Sequence, residues 1–425
     1  MSREAAAPSP VTPTPKTALI VGALALSAIV LPLVVVALAA LALTVAVVLD
    51  ARAARRPPQL ERSLARLLAR GVPAPFVATV EAPGAGALRV RQAAPPDLRF
   101  DPAEAAGAID GTVVPRRRGR HSLPGLAARV SGPLGLGAAH HRSEPAEVLV
   151  YPDMPAARRL AFAVRTGRFR EQGRLTRGPL GLGTDFESVR DYLPDDDFRQ
   201  LNWRATARMD RPMSNQYRVE QDRDVTCVID TGRLMAAPLP GERTRLDAAL
   251  DAAVAVALVA DEVGDRSGAL AFDSEVRRLL APRRRGGDAV VRTVFDLEPR
   301  SVDSDYELAF QTVESAKRSL VVVFTDVIEE AAASSLLEAM PVLARRHAVV
   351  VAGVADPDLQ AAVAASPNRP LDVYAQAAAL DVLDARARVV VRLRHSGATV
   401  VEEPPDLLAT ACVRAYLRAK ARARL

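Results

Sequence analysis

Three patterns of apolar and polar residues follow one another along the chain, and each predicts a different kind of element. Residues 18–49 form one uncharged apolar run, whereas residues 60–155 alternate short apolar runs with Pro and Gly clusters. Residues 222–425 contain brief, almost wholly apolar runs separated by segments with helical periodicity. The first pattern predicts membrane helices, the second a small all-β domain, and the third an α/β sheet.

The first pattern is a run of 32 residues without a charge, from Ala18 to Leu49. As a single helix this run would be about 48 Å long, whereas the hydrocarbon core of a bilayer is about 30 Å thick. The sequence therefore predicts a transmembrane helical hairpin over residues 18–50 that is broken near Pro32, with one long tilted helix as the alternative. Residues 1–17 are expected to be a disordered N-terminal tail.

Basic residues predict the orientation of this membrane segment. Arg52, Arg55 and Arg56 follow the apolar run at once, whereas Lys16 is the nearest basic residue before it. The positive-inside rule then places everything after the run in the cytoplasm. We therefore expect an integral protein of the cell membrane whose main body is cytoplasmic.

The second pattern, over residues 60–155, follows a linker marked by Pro57 and Pro58. Its apolar runs recur at the intervals typical of β-sandwich strands and turns. We predict strands over residues 76–80, 88–90, 109–114 and 148–151. The result would be a small all-β, sandwich-like domain. Because His140 and His141 are adjacent, their side chains would point apart on a strand and would not form a metal pair.

The third pattern occupies residues 222–425. The segments DVTCVID, GALAFD, SLVVVFTD and AVVVAGVAD are short and almost wholly apolar, as parallel strands covered on both faces are. Between the first two, apolar residues recur at helical spacing from Leu246 to Ala257, with Asp247 and Asp251 on the opposite side. This alternation predicts a doubly wound, Rossmann-like α/β domain.

Each of these four predicted strands ends in an aspartate. The four residues are Asp230, Asp273, Asp326 and Asp356. Ligands of open α/β sheets bind beyond the carboxyl ends of the strands, so these carboxylates would surround the expected site. The alternative role is to cap the helix that follows, which requires no ligand.

Charge and cysteine content narrow the classes of function. The chain has 56 Lys and Arg against 50 Asp and Glu, a net charge of only +6. The arginine runs at residues 116–118 and 283–285 lack the alternating aromatic residues on which bases stack, so we do not expect nucleic-acid binding. Cys227 and Cys412 lie apart in apolar stretches, which predicts buried thiols in a reducing compartment.

Residues 189–210, VRDYLPDDDFRQLNWRATARMD, combine three consecutive carboxylates, the chain's single tryptophan and several arginines. Pro194 followed by Asp195–Asp197 predicts the start of a helix over residues 198–208. The residues that follow, MSNQYRVE, alternate as a strand. The segment lies within residues 156–221, which we expect to form the joint between the two domains.

On that predicted helix Arg199 and Trp203 would be neighbours, and Arg204 and Arg208 would form a second pair that requires an acidic counter-charge. Two roles fit this pattern: a structural brace between the domains, or a surface that binds a partner or an anion. Catalysis is not expected, because neither a histidine nor a nucleophile accompanies the carboxylates. The candidate residues are Arg190, Tyr192, Asp195, Asp196, Arg199, Trp203, Arg204 and Arg208.

The chain resembles the DUF58 family in the segment GTDFESVRDYLPDDDFRQLNWRATAR, in RRGRHSLPGLAARVSGPLGLG with VLVYP, and in the closing YLRAKARARL. The resemblance implies an N-terminal membrane hairpin and a C-terminal domain similar to a von Willebrand factor A domain. It also implies a MoxR-type AAA+ ATPase as partner and a chaperone-like or assembly role. No enzymatic reaction is established for the family.

Von Willebrand A domains hold a divalent metal with a DxSxS loop, a threonine from a middle loop and a later aspartate. The corresponding first loop here is DTGRL, which begins at Asp230 and Thr231 and lacks both serines. In the middle loop, SVDSDYELA, Ser304 or Asp305 stands where the threonine is expected, and Asp326 matches the later aspartate. The resemblance therefore implies at most a degenerate Mg²⁺ site with Asp230, Thr231 and Asp326 as candidate ligands, and no other cofactor.

We therefore expect a non-enzymatic, membrane-anchored adaptor that binds protein and acts with a MoxR-type ATPase in complex assembly or cell-envelope processes. The alternative is a divalent-metal-dependent ligand-binding protein or enzyme that uses the strand-end aspartates. A third hypothesis, an arginine-driven binder of anionic lipid or nucleic acid, predicts complexes that weaken steeply with salt.

Overall fold

The chain is divided into two compact units, Met1–Asp153 and Met154–Leu425. They are seen in a computed structural model that describes residues 12–166, 180–193, 201–218, 223–314, 318–326 and 330–421. The helices of the first unit are α1 (Pro15–Ser27) and α2 (Leu33–Ala54). Its strands are β1 (Thr12–Pro13), β2 (Gln59–Leu64), β3 (Leu67–Ala69), β4 (Ala74–Glu81), β5 (Leu88–Arg91), β6 (Leu98–Asp101), β7 (Glu104–Ala106), β8 (Ala108–Pro115), β9 (Gly119–Leu123), β10 (Ala127–Ser131), β11 (Gly137–Arg142) and β12 (Ala146–Tyr151).

The apolar run forms two helices rather than one long helix. Pro32 lies directly before α2, so the expected break is confirmed. The 22 residues of α2 give a length of about 33 Å, and this helix is long and apolar enough to cross a membrane. The 13 residues of α1 give only about 20 Å. The apolar side chains along α2 are largely exposed, including Leu38 and Leu41 at 63% each.

The expected disordered tail is wrong for residues 12–17. Residues 12 and 13 form β1, which pairs with β11, and α1 begins at Pro15. Thr14 and Thr17 are buried because their hydroxyls bond to carbonyls of the β domain. The remaining tail residues, 1–11, lie outside the described residues.

After α2, the elements of the first unit over residues 59–151 are all strands, in agreement with the strands predicted for residues 60–155. Its strands form a five-stranded sheet (β1-β11-β10-β5-β7), a four-stranded sheet (β2-β4-β8-β6) and a three-stranded sheet (β3-β12-β9). All three sheets contribute to one apolar core, in which Phe76 and Phe100 pack edge to face with their ring centroids 4.8 Å apart. His140 is exposed and His141 is buried, so the two side chains do point apart.

The second unit contains the α/β domain and the segment that precedes it. Its helices are α3 (Met154–Arg165), α4 (Trp203–Met209), α5 (Arg245–Glu262), α6 (Gly287–Val294), α7 (Tyr306–Glu314), α8 (Glu330–Arg346), α9 (Pro357–Ala364), α10 (Pro370–His395) and α11 (Pro405–Ala421). Its strands are β13 (Leu180–Asp191), β14 (Met213–Arg218), β15 (Asp224–Asp230), β16 (Pro238–Leu239), β17 (Arg243–Thr244), β18 (Arg266–Phe272), β19 (Val276–Arg284), β20 (Leu320–Phe324), β21 (Ala348–Val354) and β22 (Thr399–Glu403).

The main sheet has the order β19-β18-β15-β20-β21-β22, which is 3-2-1-4-5-6 when its strands are counted along the chain. The four strands predicted from apolar runs are β15, β18, β20 and β21, and they are parallel to one another as expected. Two edge strands were not predicted: β19 is antiparallel and β22 is parallel. Helices α7, α8 and α10 pack on one face of the sheet, and α5, α6 and α11 pack on the other.

Helix α5 begins with a capping box in which Thr244 bonds to the backbone of Asp247, and the carboxylate of Asp247 bonds back to the Thr244 N–H at 2.7 Å. Asp247, predicted on the side of the helix opposite the apolar residues, is buried in this cap. The two cysteines are buried, as expected. Burial raises the pKa of the Cys227 thiol to about 12.

The DUF58-like segment forms a two-stranded hairpin of β13 and β14 with α4 between them. The expected helix over residues 198–208 is confirmed for residues 203–208. It is wrong at Leu201, which bridges to Ser214, and residues 198–200 lie outside the described residues. Asn202 is extended and caps α4 by accepting from the Ala205 N–H at 3.0 Å. The cap of α4 is therefore an asparagine.

Candidate functional site

The carboxyl edge of the α/β sheet gathers the strand-end aspartates. All four lie at or just after the carboxyl ends of parallel strands of one sheet, so the fold alone brings their backbones to a common edge. Asp230, Asp273 and Asp326 are buried there, and Asp356 caps α9 by accepting from the Asp358 N–H at 3.0 Å. The partners of each carboxylate decide what this edge can do.

Asp230 accepts four hydrogen bonds from the chain itself. Its Oδ1 accepts from the Gly232 N–H at 2.8 Å and from the Ser304 hydroxyl. Its Oδ2 accepts from the hydroxyls of Tyr306 at 2.9 Å and Thr325 at 2.7 Å. A carboxylate has about four lone-pair positions, so this one is fully used. Burial, and then the negative charge of Asp230, raise the pKa of Tyr306 well above its ordinary value, which keeps its hydroxyl a donor.

Asp326 is held between two buried arginines. Arg245 at the start of α5 bonds to its Oδ2, and Arg386 from the middle of α10 bonds to its Oδ1 at 2.6 Å. The same arginines also pair with Asp356 at 3.1 Å and with Glu402 at 3.2 Å. Burial lowers the pKa of Arg245, and the neighbouring Arg386 lowers it further. This arginine–carboxylate network contains three acids and two bases.

Thr231 and Asp273 belong to a neighbouring set of contacts. The Thr231 hydroxyl donates to the Phe272 carbonyl at 2.9 Å and is fully buried. Asp273 accepts from the Glu275 N–H at 3.2 Å and lies 3.6 Å from the guanidinium of Arg277. These contacts tie the loop after β15 to the loop after β18.

The candidate ligands for Mg²⁺ do not fit a magnesium site. Mg²⁺ requires near-octahedral oxygen ligation at about 2.0–2.1 Å. The four hydrogen bonds to Asp230 leave it no lone-pair position for a metal. Two guanidiniums already neutralise Asp326 and would repel a divalent cation.

A small cavity of about 230 Å³ opens beside Asp230. Its lining includes Arg233, which pairs with Asp303 at 2.5 Å on the surface, and Leu234. The hydrogen bond from Arg233 to Asp303 raises the pKa of this arginine. The cavity is smaller than the roughly 300–1,000 Å³ typical of small-molecule pockets, and it lacks a histidine or cysteine.

The candidate residues of the DUF58-like segment lie on the β13–β14 hairpin. Arg190 donates to the Asp191 carbonyl at 2.9 Å, and the Tyr192 N–H donates to the Pro212 carbonyl at 3.0 Å. Arg204 and Arg208 are exposed one turn apart on α4. The other candidates, Asp195, Asp196 and Arg199, lie outside the described residues.

Trp203 opens α4 and keeps 64% of its surface exposed. Met209 at the end of the helix is 59% exposed, and Leu193 is 53% exposed. No residue of α4 is buried. We call Leu193, Trp203 and Met209 the hairpin patch. Exposed apolar and aromatic side chains of this kind are typical of a binding surface, the second role predicted for this segment.

The side chains that bond to Asp230 and Asp326 at the carboxyl edge were not predicted from sequence. Arg245 and Arg386 lie 81 and 60 residues from Asp326 along the chain. Tyr306 and Thr325 are likewise distant from Asp230 in sequence. The only local signal was the capping box of Thr244 and Asp247, which indicates where α5 begins. Arg245 is the first residue of this helix and therefore lies at the sheet edge.

Comparison with known proteins identifies the middle of the chain. Residues 188–363 match the family described as "Protein of unknown function DUF58", which confirms the resemblance over that range. Uncharacterized proteins Mb1516 of Mycobacterium bovis and Rv1480 of Mycobacterium tuberculosis are each 25% identical over 186 residues, 42% of this chain. The chain spans 56% of the length of these curated relatives.

Proposed function

We propose that this chain, whose residues 188–363 match the DUF58 family, is a non-enzymatic, membrane-anchored adaptor that binds protein. Its α/β domain is von Willebrand A-like, its anchor is the hairpin of α1 and α2, and its body lies in the cytoplasm. Its partner is a MoxR-type AAA+ ATPase, and the pair act in complex assembly or cell-envelope processes.

The strand order 3-2-1-4-5-6 with an antiparallel third strand supports a von Willebrand A-like domain. So does the position of Asp230 and Asp326 at the carboxyl edge, where the family pattern has its metal ligands. In this chain Arg245 and Arg386 supply the positive charge next to Asp326. The proposed adaptor therefore binds its partner without a divalent metal.

The hairpin patch is the observation that carries the proposal. Tryptophan and methionine are enriched at protein interfaces, and exposed tryptophans are frequent hot spots. The patch has a firm base, because Asn202 bonds to Asn215 at 2.6 Å and the Met213 N–H donates to the Thr206 hydroxyl at 2.9 Å. An exposed aromatic residue on a backbone held by such bonds loses little backbone freedom on binding.

Arginines beside the patch favour an acidic partner surface. Arg204 and Arg208 are exposed on the same short helix as Trp203. Two like charges one helical turn apart repel each other, and a partner's carboxylates would relieve this repulsion. We expect the ATPase face that meets this helix to present Asp or Glu around an apolar pocket.

The test is affinity capture with the full-length chain in detergent extracts. The wild type is expected to recover an AAA+ ATPase, and Trp203→Ala is expected to recover at least roughly tenfold less, the loss typical of a tryptophan hot spot. Tyr374→Ala is the matched control, because Tyr374 is an aromatic residue on α10 that is 74% exposed. Equal recovery by Trp203→Ala and wild type, or no ATPase with or without nucleotide, would contradict the proposal.

A divalent-metal-dependent ligand-binding protein or enzyme was the alternative. It requires the strand-end aspartates to be available as ligands. The bonds to Asp230 and Asp326 leave neither carboxylate available, so the adaptor is the better-supported function.

A further inference from the structure

Residues 131–137 form the turn between β10 and β11 together with the adjoining residue of each strand, and they bind the end of the membrane helix. We call them the docking loop. Asp50 near the end of α2 is buried, and its carboxylate accepts three backbone N–H groups of this loop. The Leu134 N–H donates to Oδ1 at 2.7 Å, and those of Leu136 and Gly137 donate to Oδ2 at 2.7 and 2.8 Å. Charge-assisted bonds of this kind fix the loop to the helix end.

The start of the α1–α2 hairpin forms hydrogen bonds with the same loop. The Thr14 hydroxyl donates to the Gly135 carbonyl at 2.6 Å, and the Thr17 hydroxyl donates to the Leu136 carbonyl at 2.5 Å. The Thr14 N–H also donates to the Leu136 carbonyl at 3.0 Å. Both ends of the α1–α2 hairpin therefore meet at one loop of the β domain.

This arrangement sets the depth of the docking loop. The apolar stretch of α2 ends at Leu49, and Asp50 is its first charged residue, so the edge of the hydrocarbon core lies at this point. Because the Leu134 N–H is bonded to the Asp50 carboxylate, Leu134 lies at the same depth. The Leu134 side chain is 60% exposed. Beyond this level α2 continues along β11, where the His141 ring bonds to the Ala54 carbonyl at 3.1 Å.

Positive charges surround this level. Lys16, Arg52, Arg55 and Arg56 are exposed at the two helix ends. The negative charge of Asp50 is compensated by the three N–H groups that it accepts. An apolar residue flanked by cations fits the boundary between anionic phospholipid headgroups and acyl chains.

We propose that the docking loop is a membrane-docking element: Leu134 inserts at the boundary between the headgroups and the acyl chains of a leaflet that contains anionic phospholipid, and the β domain rests on the bilayer. The inference depends on the membrane anchoring in the proposed function. It adds a second contact with the lipid and a fixed orientation of the β domain at the membrane surface.

The test uses lipid with brominated acyl chains, which quenches tryptophan fluorescence within the bilayer. The full chain carries Trp203→Phe, since Trp203 is the only native tryptophan, and one tryptophan is then introduced per variant. Leu134→Trp reports the docking loop, and Leu38→Trp reports α2. Arg142→Trp is the control at the far end of the same β hairpin, five residues and about 17 Å beyond Gly137.

In vesicles of phosphatidylcholine and phosphatidylglycerol, quenching of Leu134→Trp should reach at least half that of Leu38→Trp, and Arg142→Trp should remain weakly quenched. Removal of phosphatidylglycerol should reduce quenching at position 134 only. If Leu38→Trp is quenched but Leu134→Trp resembles Arg142→Trp, docking is refuted and anchoring survives. If Leu38→Trp is not quenched, anchoring and docking both fail.

A second variant at the same position tests the proposal independently, in case Leu134→Trp does not fold. A nitroxide attached to Leu134→Cys should be relaxed more by oxygen, which concentrates in the bilayer, than by an aqueous nickel complex. Cys227 and Cys412 are buried and should not react with the label in the folded chain. Greater relaxation by nickel would overturn the proposal.

Discussion

The carboxyl edge of the α/β sheet and the β13–β14 hairpin each have contacts opposite to those that their residue types indicate. The edge has the aspartates of a ligand site, yet Asp230 and Asp326 are buried and bonded to other side chains of the chain. The hairpin resembled an internal brace, yet Trp203 is exposed. A motif therefore marks a place in the fold, and the contacts made there decide whether it can bind anything else.

The difference has a physical basis in charge. At the edge, buried carboxylates must be neutralised within the protein, and Arg245 and Arg386 do this for Asp326. On α4, Arg204 and Arg208 are exposed and can be neutralised by a partner. We therefore expect substitutions at the edge to change stability and substitutions on the hairpin to change binding.

The largest expected effect is that of Arg386→Ala. Removal of this guanidinium leaves Asp326 with one arginine and takes away the partner of Glu402. Loss of one partner from a buried ion pair costs about 3–5 kcal/mol of unfolding free energy. Urea denaturation of the detergent-solubilised chain measures this loss. Arg388→Ala, an exposed arginine on the same helix, should change the unfolding free energy by less than about 0.5 kcal/mol.

A destabilisation below about 1 kcal/mol for Arg386→Ala would mean that water replaces the guanidinium. The carboxyl edge would then be accessible to solvent, and it would no longer differ from the exposed hairpin in this respect.

Asp230→Ala should destabilise the chain by about 2–3 kcal/mol, because the buried Tyr306 and Thr325 hydroxyls lose their acceptor. The same urea titration measures this loss. Asp303→Ala is the matched control, since Asp303 is an exposed aspartate that pairs with Arg233. Its effect should stay within about 0.5 kcal/mol. Equal effects of the two variants would show that the bonds to Asp230 do not stabilise the fold.

Much of the fold follows from the sequence because parallel central strands must be apolar on both faces. That rule identifies β15, β18, β20 and β21. The rule does not identify the edge strands, because β19 contains four arginines and is largely exposed, and β22 ends in two glutamates. The break at Pro32 was predictable because the apolar run is longer than a bilayer is thick.

The contacts of the candidate site were less predictable. Asp230 and Asp326 were placed correctly at the sheet edge because strand ends are local features of the sequence. Their partners are not local, since Arg386 is one of several arginines on α10 and nothing in the sequence distinguishes it. The start of α4 was missed because Pro194 and the aspartates are a stronger helix signal than Asn202, whereas the pairing of Leu201 with Ser214 keeps the chain extended there.

Trp203→Ala should change the unfolding free energy by less than about 0.5 kcal/mol, as expected for an exposed residue away from the core. The structural brace predicts a clear loss of stability instead. Thermal melting of the full chain in detergent distinguishes the two roles. A fall in melting temperature of several degrees would show that Trp203 has a structural role. The hairpin would then stabilise the fold, as the sheet edge does.

The smallest expected effect is that of magnesium. Binding of a ligand to the folded state adds RT ln(1 + [L]/Kd) to the unfolding free energy, so a site half-saturated at millimolar Mg²⁺ would add about 0.4 kcal/mol. We expect less than this, because Arg245 and Arg386 already neutralise Asp326 and the four bonds to Asp230 occupy its oxygens. The measurement is calorimetry and melting with Mg²⁺ or EDTA. Binding heat that Asp326→Ala abolishes would contradict the closed edge, since it would require the carboxylate to exchange its arginines for the metal.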